Sequence, residues 1–146
     1  MGPEPILSGE EIKKLVSHKL EAYENLSILE QYAMFIGKAQ ILEFGLKRLL
    51  ARKYSVPLGS VKRWTLGRVK NELEQKGLRP DFIALLHSVV EYRNYIAHEL
   101  LANNALVNSI VAMNPRMEAE ELWKGTYELE QIIILYDWCE ENDAWD

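Results

Sequence analysis

The chain has a single cysteine, Cys139, so no internal disulfide can form and zinc binding through paired cysteines is excluded. A lone thiol fits a reducing compartment, and the cytoplasm is the expected location. No apolar run approaches the roughly 20 residues that cross a bilayer, so no membrane partner is expected. The opening MGPEPILSGEE has neither the basic start nor the apolar stretch of a secretion signal. Nothing alternates long enough between polar and apolar residues to demand a sheet, and there is no internal repeat, low-complexity tract or linker. A net charge of −5 argues against a nucleic-acid partner on average composition alone.

What is present is enough apolar material for a core. The 146 residues are 48% apolar, which suits one folded domain over residues 1–146, with loose ends at 1–8 and 142–146. The charge is unevenly spread. Between Phe44 and Asn71 there are eight basic residues and no acidic one: Lys47, Arg48, Arg52, Lys53, Lys62, Arg63, Arg68 and Lys70. Between Glu118 and Asp146 there are ten acidic residues and one lysine, Lys124. The basic block can attract phosphates or form solvated helix faces. The acidic end is expected to be solvated or to meet a basic partner.

Helical signals run throughout. Ser8-Gly-Glu-Glu11 and Ser27-Ile-Leu-Glu30 both have the capping-box pattern. A first helix follows through Ile12, Leu15, Val16 and Leu20. A long one follows through Ile28, Tyr32, Phe35, Ile36, Ala39, Leu42, Leu46, Leu49 and Leu50, whose spacing of three and four makes one buried stripe. Gly37 and Gly45 in that helix suit the close approach of another. After a breaker at Tyr54–Ser60, Thr65 caps a short helix ending near Lys76. A fourth helix runs from Pro80-Asp81 to Leu101. The form of Ala105 to Arg116 is left open, with Pro115 as a breaker, and a last helix spans Met117 to Glu141. These elements predict an all-α, up-and-down bundle of four to five helices with largely antiparallel neighbours.

The fourth helix carries the unusual stretch, EYRNYIAHELL from Glu91 to Leu101. At about 100° per residue, Phe82, Leu85, Val89, Tyr92, Ile96 and Leu100 form its core stripe. His87, Glu91, Asn94 and His98 fall on the opposite side, flanked by Ile83, Val90 and Leu101. A polar centre with aliphatic flanks predicts a subunit interface, so a two-fold homodimer is expected. Arg93 lies roughly 140° around from His98, and a second copy of the helix would complete the set.

The chemistry of those side chains is specific. Arginine binds phosphate oxygens bidentately, histidine exchanges a proton with a hydroxyl, and asparagine orients either. Together they suit cleavage of a phosphodiester by the neighbouring ribose 2′-hydroxyl, with no metal and no cofactor. The sequence lacks a HExxH pattern, and a metal on His87, Glu91 and His98 is not expected.

At these residues the chain resembles a HEPN domain, a family of small all-α bundles, usually dimers, marked by arginine, a polar residue and then histidine. Arg93-Asn-Tyr-Ile-Ala-His98 has that form. Tyr32–Leu50 is similar to the family's long second helix, and Trp64-Thr-Leu-Gly-Arg68 to the start of its short middle helix. The resemblance spans roughly residues 10 to 140, but only the six-residue motif is diagnostic. It implies a metal-independent endoribonuclease, a hydrolase acting as a toxin of a toxin–antitoxin pair or in phage defence. Arg93 would hold the scissile phosphate, His98 would act as acid or base, and Asn94 would support them in a composite dimer cleft. Lys47, Arg48, Lys62, Arg63, Arg68 and His87 would bind flanking RNA. Toxins of this family that are silenced by nucleotide transfer carry a tyrosine two residues beyond the histidine. Here that residue is Leu100, so an antitoxin would act otherwise, by masking the cleft.

Two other readings stand beside this one. One is a non-catalytic HEPN-like module binding a protein or nucleotide partner. The other is a helical adaptor with no site, in which Arg93 would serve an internal salt bridge. His18, between core positions, reads as structural. Trp123 and Trp138 read as packing residues of the last helix, although Trp123, Trp138 and Trp145 could stack on bases.

Overall fold

Ser8, Ser27 and Thr65 start three helices for one physical reason: each has an extended backbone and a side-chain oxygen that accepts from an otherwise unpaired amide of the first turn. Ser8 Oγ accepts from Glu11 N at 3.1 Å, Ser27 Oγ from Glu30 N at 3.1 Å, and Thr65 Oγ1 from Arg68 N at 3.2 Å. At Ser27 the box is complete, because Glu30 Oε1 also accepts from Ser27 N at 3.2 Å. The computed structural model describes residues 7–102 and 115–146, and side chains of 7–98 and 120–146. Within them the elements are α1 (Gly9–Leu20), a single 3₁₀ turn (Glu21–Tyr23), α2 (Ile28–Tyr54), α3 (Leu58–Val61), α4 (Leu66–Gln75), α5 (Pro80–Ala102) and α6 (Pro115–Asn142). The described chain is all-helical, and no described helix is long and apolar enough to cross a membrane.

The helix stops are as local as the starts. Ser55 takes the left-handed conformation (φ 58°), which lets Val56 N donate back to Leu50 O at 3.2 Å and closes α2. Gly77, at φ 84°, closes α4 in the same way. Pro115 is the first residue of α6 rather than a breaker ahead of it; at that position its missing N–H costs nothing. Of the open segment 105–116, residues 105–114 lie outside the described residues.

α6 is the hub, packing against α1, α2 and α5. Its direction relative to α2 follows from the partners along it. Lys38 meets Glu130, Gly45 meets Tyr136 and Arg52 meets Glu140, so both chains ascend together. α2 and α6 are therefore parallel neighbours, an exception to the largely antiparallel packing expected. α5 runs antiparallel to α6: Ile96 and Tyr92 lie against Gly125, while Phe82 packs on Trp145. α4 runs antiparallel to α5, with Gly67 beside Val90 and Lys70 beside His87.

Two glycines set helix spacings. A Cβ on Gly125 would lie 3.0 Å from Ile96 Cδ1 and 3.2 Å from Phe35 Cε2, so α2, α5 and α6 converge there. A Cβ on Gly45 would lie 3.0 Å from the Tyr136 hydroxyl, which donates to the Gly45 carbonyl at 3.3 Å. Gly37 has open space beside it and supports no close approach.

Most of the apolar stripes meet in one core centred on Phe35, Leu46, Leu50, Leu73, Phe82, Leu86 and Leu129. A smaller cluster, Val16, Leu20, Tyr23 and Ile134, holds α1 onto α6. Between them sits a buried carboxylate. Glu130 has no exposed surface; it accepts from the Tyr23 hydroxyl at 2.6 Å and pairs with Lys38, with Lys19 Nζ 4.0 Å away. Burial, and then the bond to Glu130, push the Tyr23 phenol far above its ordinary value.

The carboxyl-terminal end is not loose as expected. Trp145 is 3% exposed, edge-on to Phe82 at 5.0 Å and to Tyr136 at 5.3 Å. Arg79 clamps the last turn: its backbone amide donates to Trp145 O at 3.0 Å and its guanidinium to Ala144 O at 2.7 Å. Part of the acidic end finds its basic partner inside the chain. Arg52 pairs with Glu140, and Lys53 with Asp146 at 2.9 Å, so two members of the basic block are neutralised within the chain. At the other end, Ser8 caps α1 and Leu7 packs on the core, while residues 1–6 are outside the described residues.

Candidate functional site

Phe82, Val89 and Ile96 on α5 are buried as the wheel predicts, but the helix is wedged between α4 and α6 and buries a wider arc than one stripe. Leu86 is fully buried, and Ile83 and Val90 are buried as well. The last two were expected to flank an outward polar face. They are instead part of the chain's own core, as the Gly67–Val90 contact shows. The aliphatic rim that pointed to a dimer is thereby reduced to Leu101, whose side chain lies outside the described residues.

The polar residues themselves do reach the surface. Asn94 and His98 are exposed and Arg93 is half-buried. Arg93 Nη1 lies 3.5 Å from Asn94 Oδ1 and has no carboxylate at ion-pair distance among the described residues. Tyr95, beside them, is 46% exposed. The α5 end thus offers an amide and an imidazole to solvent beside a half-buried guanidinium, and Glu91, one turn before Asn94, is engaged by His87. An anion would meet a permanent cation and hydrogen-bond donors there.

His87 does not join them. Its Nε2 lies 3.2 Å from Glu91 Oε1 and its Nδ1 3.5 Å from Lys70 Nζ, so it belongs to a separate α4–α5 cluster. Among the described residues no group of three or more His, Cys, Asp and Glu side chains is placed to hold a metal ion. His18 is not structural in the sense expected: it is exposed on α1, 3.5 Å from Glu21. Trp123 is exposed as well, whereas Trp138 packs against the core and lies under the Arg79 guanidinium.

The basic block is contiguous only in sequence. Lys47 is buried; its ammonium donates to Glu43 Oε2 and to the Lys62 carbonyl, both at 3.2 Å, so it cannot reach a phosphate at the surface. Arg48 lies about 100° further round α2. It lines a groove of about 530 Å³ with Lys38, Ile41, Phe44, Tyr136 and Asp137, on the α6 side of the molecule. Burial in that region pushes the Asp137 carboxyl up. Arg52 and Lys53 are taken up by Glu140 and Asp146. Lys62, Arg63 and Arg68 remain exposed, without an ion pair among the described residues, around the turn between α3 and α4. The antiparallel register of α4 on α5, continued from Lys70–His87 through Gly67–Val90, brings that turn toward the Arg93 end of α5.

The Glu130 cluster is what the sequence reading missed. Its one signal is a carboxylate inside the apolar run from Leu129 to Leu135. Comparison with known proteins adds no identity: no family model, no curated protein and no solved structure matches the chain.

Proposed function

We propose that the chain is a dimeric, metal-independent endoribonuclease of the HEPN type, with Arg93, Asn94 and His98 as its working residues. The observation that carries the reading is the state of those side chains. A guanidinium, an amide and an imidazole emerge on one end of α5 with no acidic partner among the described residues, although the chain carries an excess of carboxylates.

In this reading Arg93 grips the non-bridging oxygens of the scissile phosphate and Asn94 steadies the guanidinium. The ribose 2′-hydroxyl attacks phosphorus and the bond to the 5′-oxygen breaks, leaving a 2′,3′-cyclic phosphate and a 5′-hydroxyl. One imidazole takes the 2′-hydroxyl proton and a second donates to the departing oxygen. Two imidazoles require two copies of His98, which a two-fold pairing of α5 ends would supply. The exposed ring of Tyr95 suits such a contact, because aromatic residues are enriched at interfaces. A toxin or phage-defence setting, with an antitoxin that covers the cleft, follows from the same resemblance.

The test is cleavage of end-labelled RNA in excess EDTA, with light scattering to set the oligomeric state. The expected result is a dimer that cuts, and His98→Ala and Arg93→Ala proteins that remain folded dimers and lose activity by about 10²-fold or more. Absence of cleavage, or full activity in a monomer, sinks the reading. The first result would favour the non-catalytic binding module.

A further inference from the structure

We infer that the α3–α4 turn is a docking edge for single-stranded RNA, formed by Lys62, Arg63 and Arg68 with Trp64 as a stacking surface. This rests on the ribonuclease reading for the identity of its ligand, but the observations behind it are separate from the α5 motif.

The first observation is which cations are left over. Of the eight basic residues from Phe44 to Asn71, Lys47 is spent on Glu43, Arg52 on Glu140, and Lys53 on Asp146. Arg48 faces the α2–α6 groove and Lys70 adjoins His87. Lys62, Arg63 and Arg68 gather on one turn instead, and the nearby carboxylates Glu43, Glu72 and Glu91 are each already paired with Lys47, Lys76 and His87. Uncompensated positive charge on a protein of net charge −5 is a local feature suited to phosphates.

The second observation is the ring. The Arg68 guanidinium lies 4.4 Å from the centroid of the half-buried Trp64 ring. A flat cation over an indole is a platform on which an unpaired base can stack, whatever its identity. An acidic peptide would use the charges but has no need of the ring, and a duplex keeps its bases out of reach of it. Single-stranded RNA uses both.

The third observation is rigidity. The buried Lys47 ammonium donates to the Lys62 carbonyl, Thr65 caps α4, and Val61 is fully buried beneath the turn. The turn is therefore held by the core on one side while its charges stay in water on the other. Lys47 acts here as a positioning residue, not as a phosphate ligand.

Binding and cleavage are measured apart, so that the two readings fail separately. The probe is a fluorescein-labelled single-stranded RNA of about 12 nucleotides, titrated by fluorescence anisotropy into His98→Ala protein at several salt concentrations. Adding Lys62→Gln and Arg63→Gln, which keep the backbone bond to Lys47, should weaken binding about tenfold or more. It should also lower the slope of log affinity against log salt by about 1.4, the value for two lost phosphate contacts on a single strand. Trp64→Leu should weaken binding about tenfold with no change in that slope. Circular dichroism melting checks that each variant is folded. If the wild type cuts RNA while the turn variants bind as tightly as their parent, the docking edge is overturned and the ribonuclease reading stands. If no RNA is cut but binding depends on the turn, the docking edge stands alone. No binding at all, or equal effects on a labelled acidic peptide, overturns it.

Discussion

Two polar clusters of this molecule hold similar groups in opposite states. Around Glu130 a carboxylate, a phenol and two ammonium groups from four segments close on one another with no exposed surface on the acid. At the end of α5, Arg93 is half-buried and Asn94 and His98 are exposed, with no carboxylate at ion-pair distance from Arg93 among the described residues. The first arrangement is closed within the chain, although Glu130 Oε2 has no hydrogen-bond partner among the described residues and only Lys19 at 4.0 Å. The second leaves its side chains at the surface. The contrast separates polar residues committed to the fold from polar residues left at the surface, and it does so without reference to their spacing.

Substitutions should separate the two clusters in kind as well as size. Glu130→Ala leaves Lys38 and Tyr23 facing an apolar hole, and should cost about 3–5 kcal/mol in chemical denaturation; His98→Ala should change stability by less than about 0.5 kcal/mol. Equal losses at the two positions would erase the distinction. Trp145→Ala should cost a similar 3–5 kcal/mol, because it opens the space between Phe82 and Tyr136. If the tail were loose, that change would be silent in the same denaturation curve. Ser27→Ala removes one capping oxygen from the longest α2 contact surface and should cost about 1 kcal/mol, read as a drop in melting temperature.

The smallest effect is one of acidity. The Arg52 guanidinium holds the Glu140 carboxyl below its ordinary value of 4.5, and Arg79 holds Asp81 below 3.8. A carboxyl depressed in the folded state adds stability that is present above its unfolded value and is lost as the pH falls through the folded one. Stability should therefore decline from about pH 4.5 downward, and Arg52→Gln should make the decline shallower in acid titrations followed by circular dichroism.

Much of the fold could be read from short-range chemistry. Ser8, Ser27 and Thr65 announce helix starts because a cap is settled within four residues of chain, and the α4 stop at Gly77 is equally local. What could not be read depends on which helices become neighbours. Ile83 and Val90 look like an outer rim on a wheel, since a wheel holds no record that α4 would cover them. Lys47 looks like surface charge until the turn at Lys62 is brought against it, and Trp145 looks like a frayed end until Arg79 is beside it. Of the candidate site, the exposure of Asn94 and His98 follows from the helical period. The separation of Arg48 from Lys62 does not, because it is decided by the packing of α6 and α3 on different sides of α2.

Gly125 gives the α5 motif a distant point of leverage. It has no polar side chain to offer and lies on another helix, yet a single methyl there would meet Ile96 and Phe35 at once and force one or both to give way. Ile96 sits one turn or less from Arg93, Asn94 and His98 along the helix. The seat of that end of α5 thus depends on an absence of bulk across the helix contact, and Gly125→Ala should shift it without altering one atom of Arg93, Asn94 or His98.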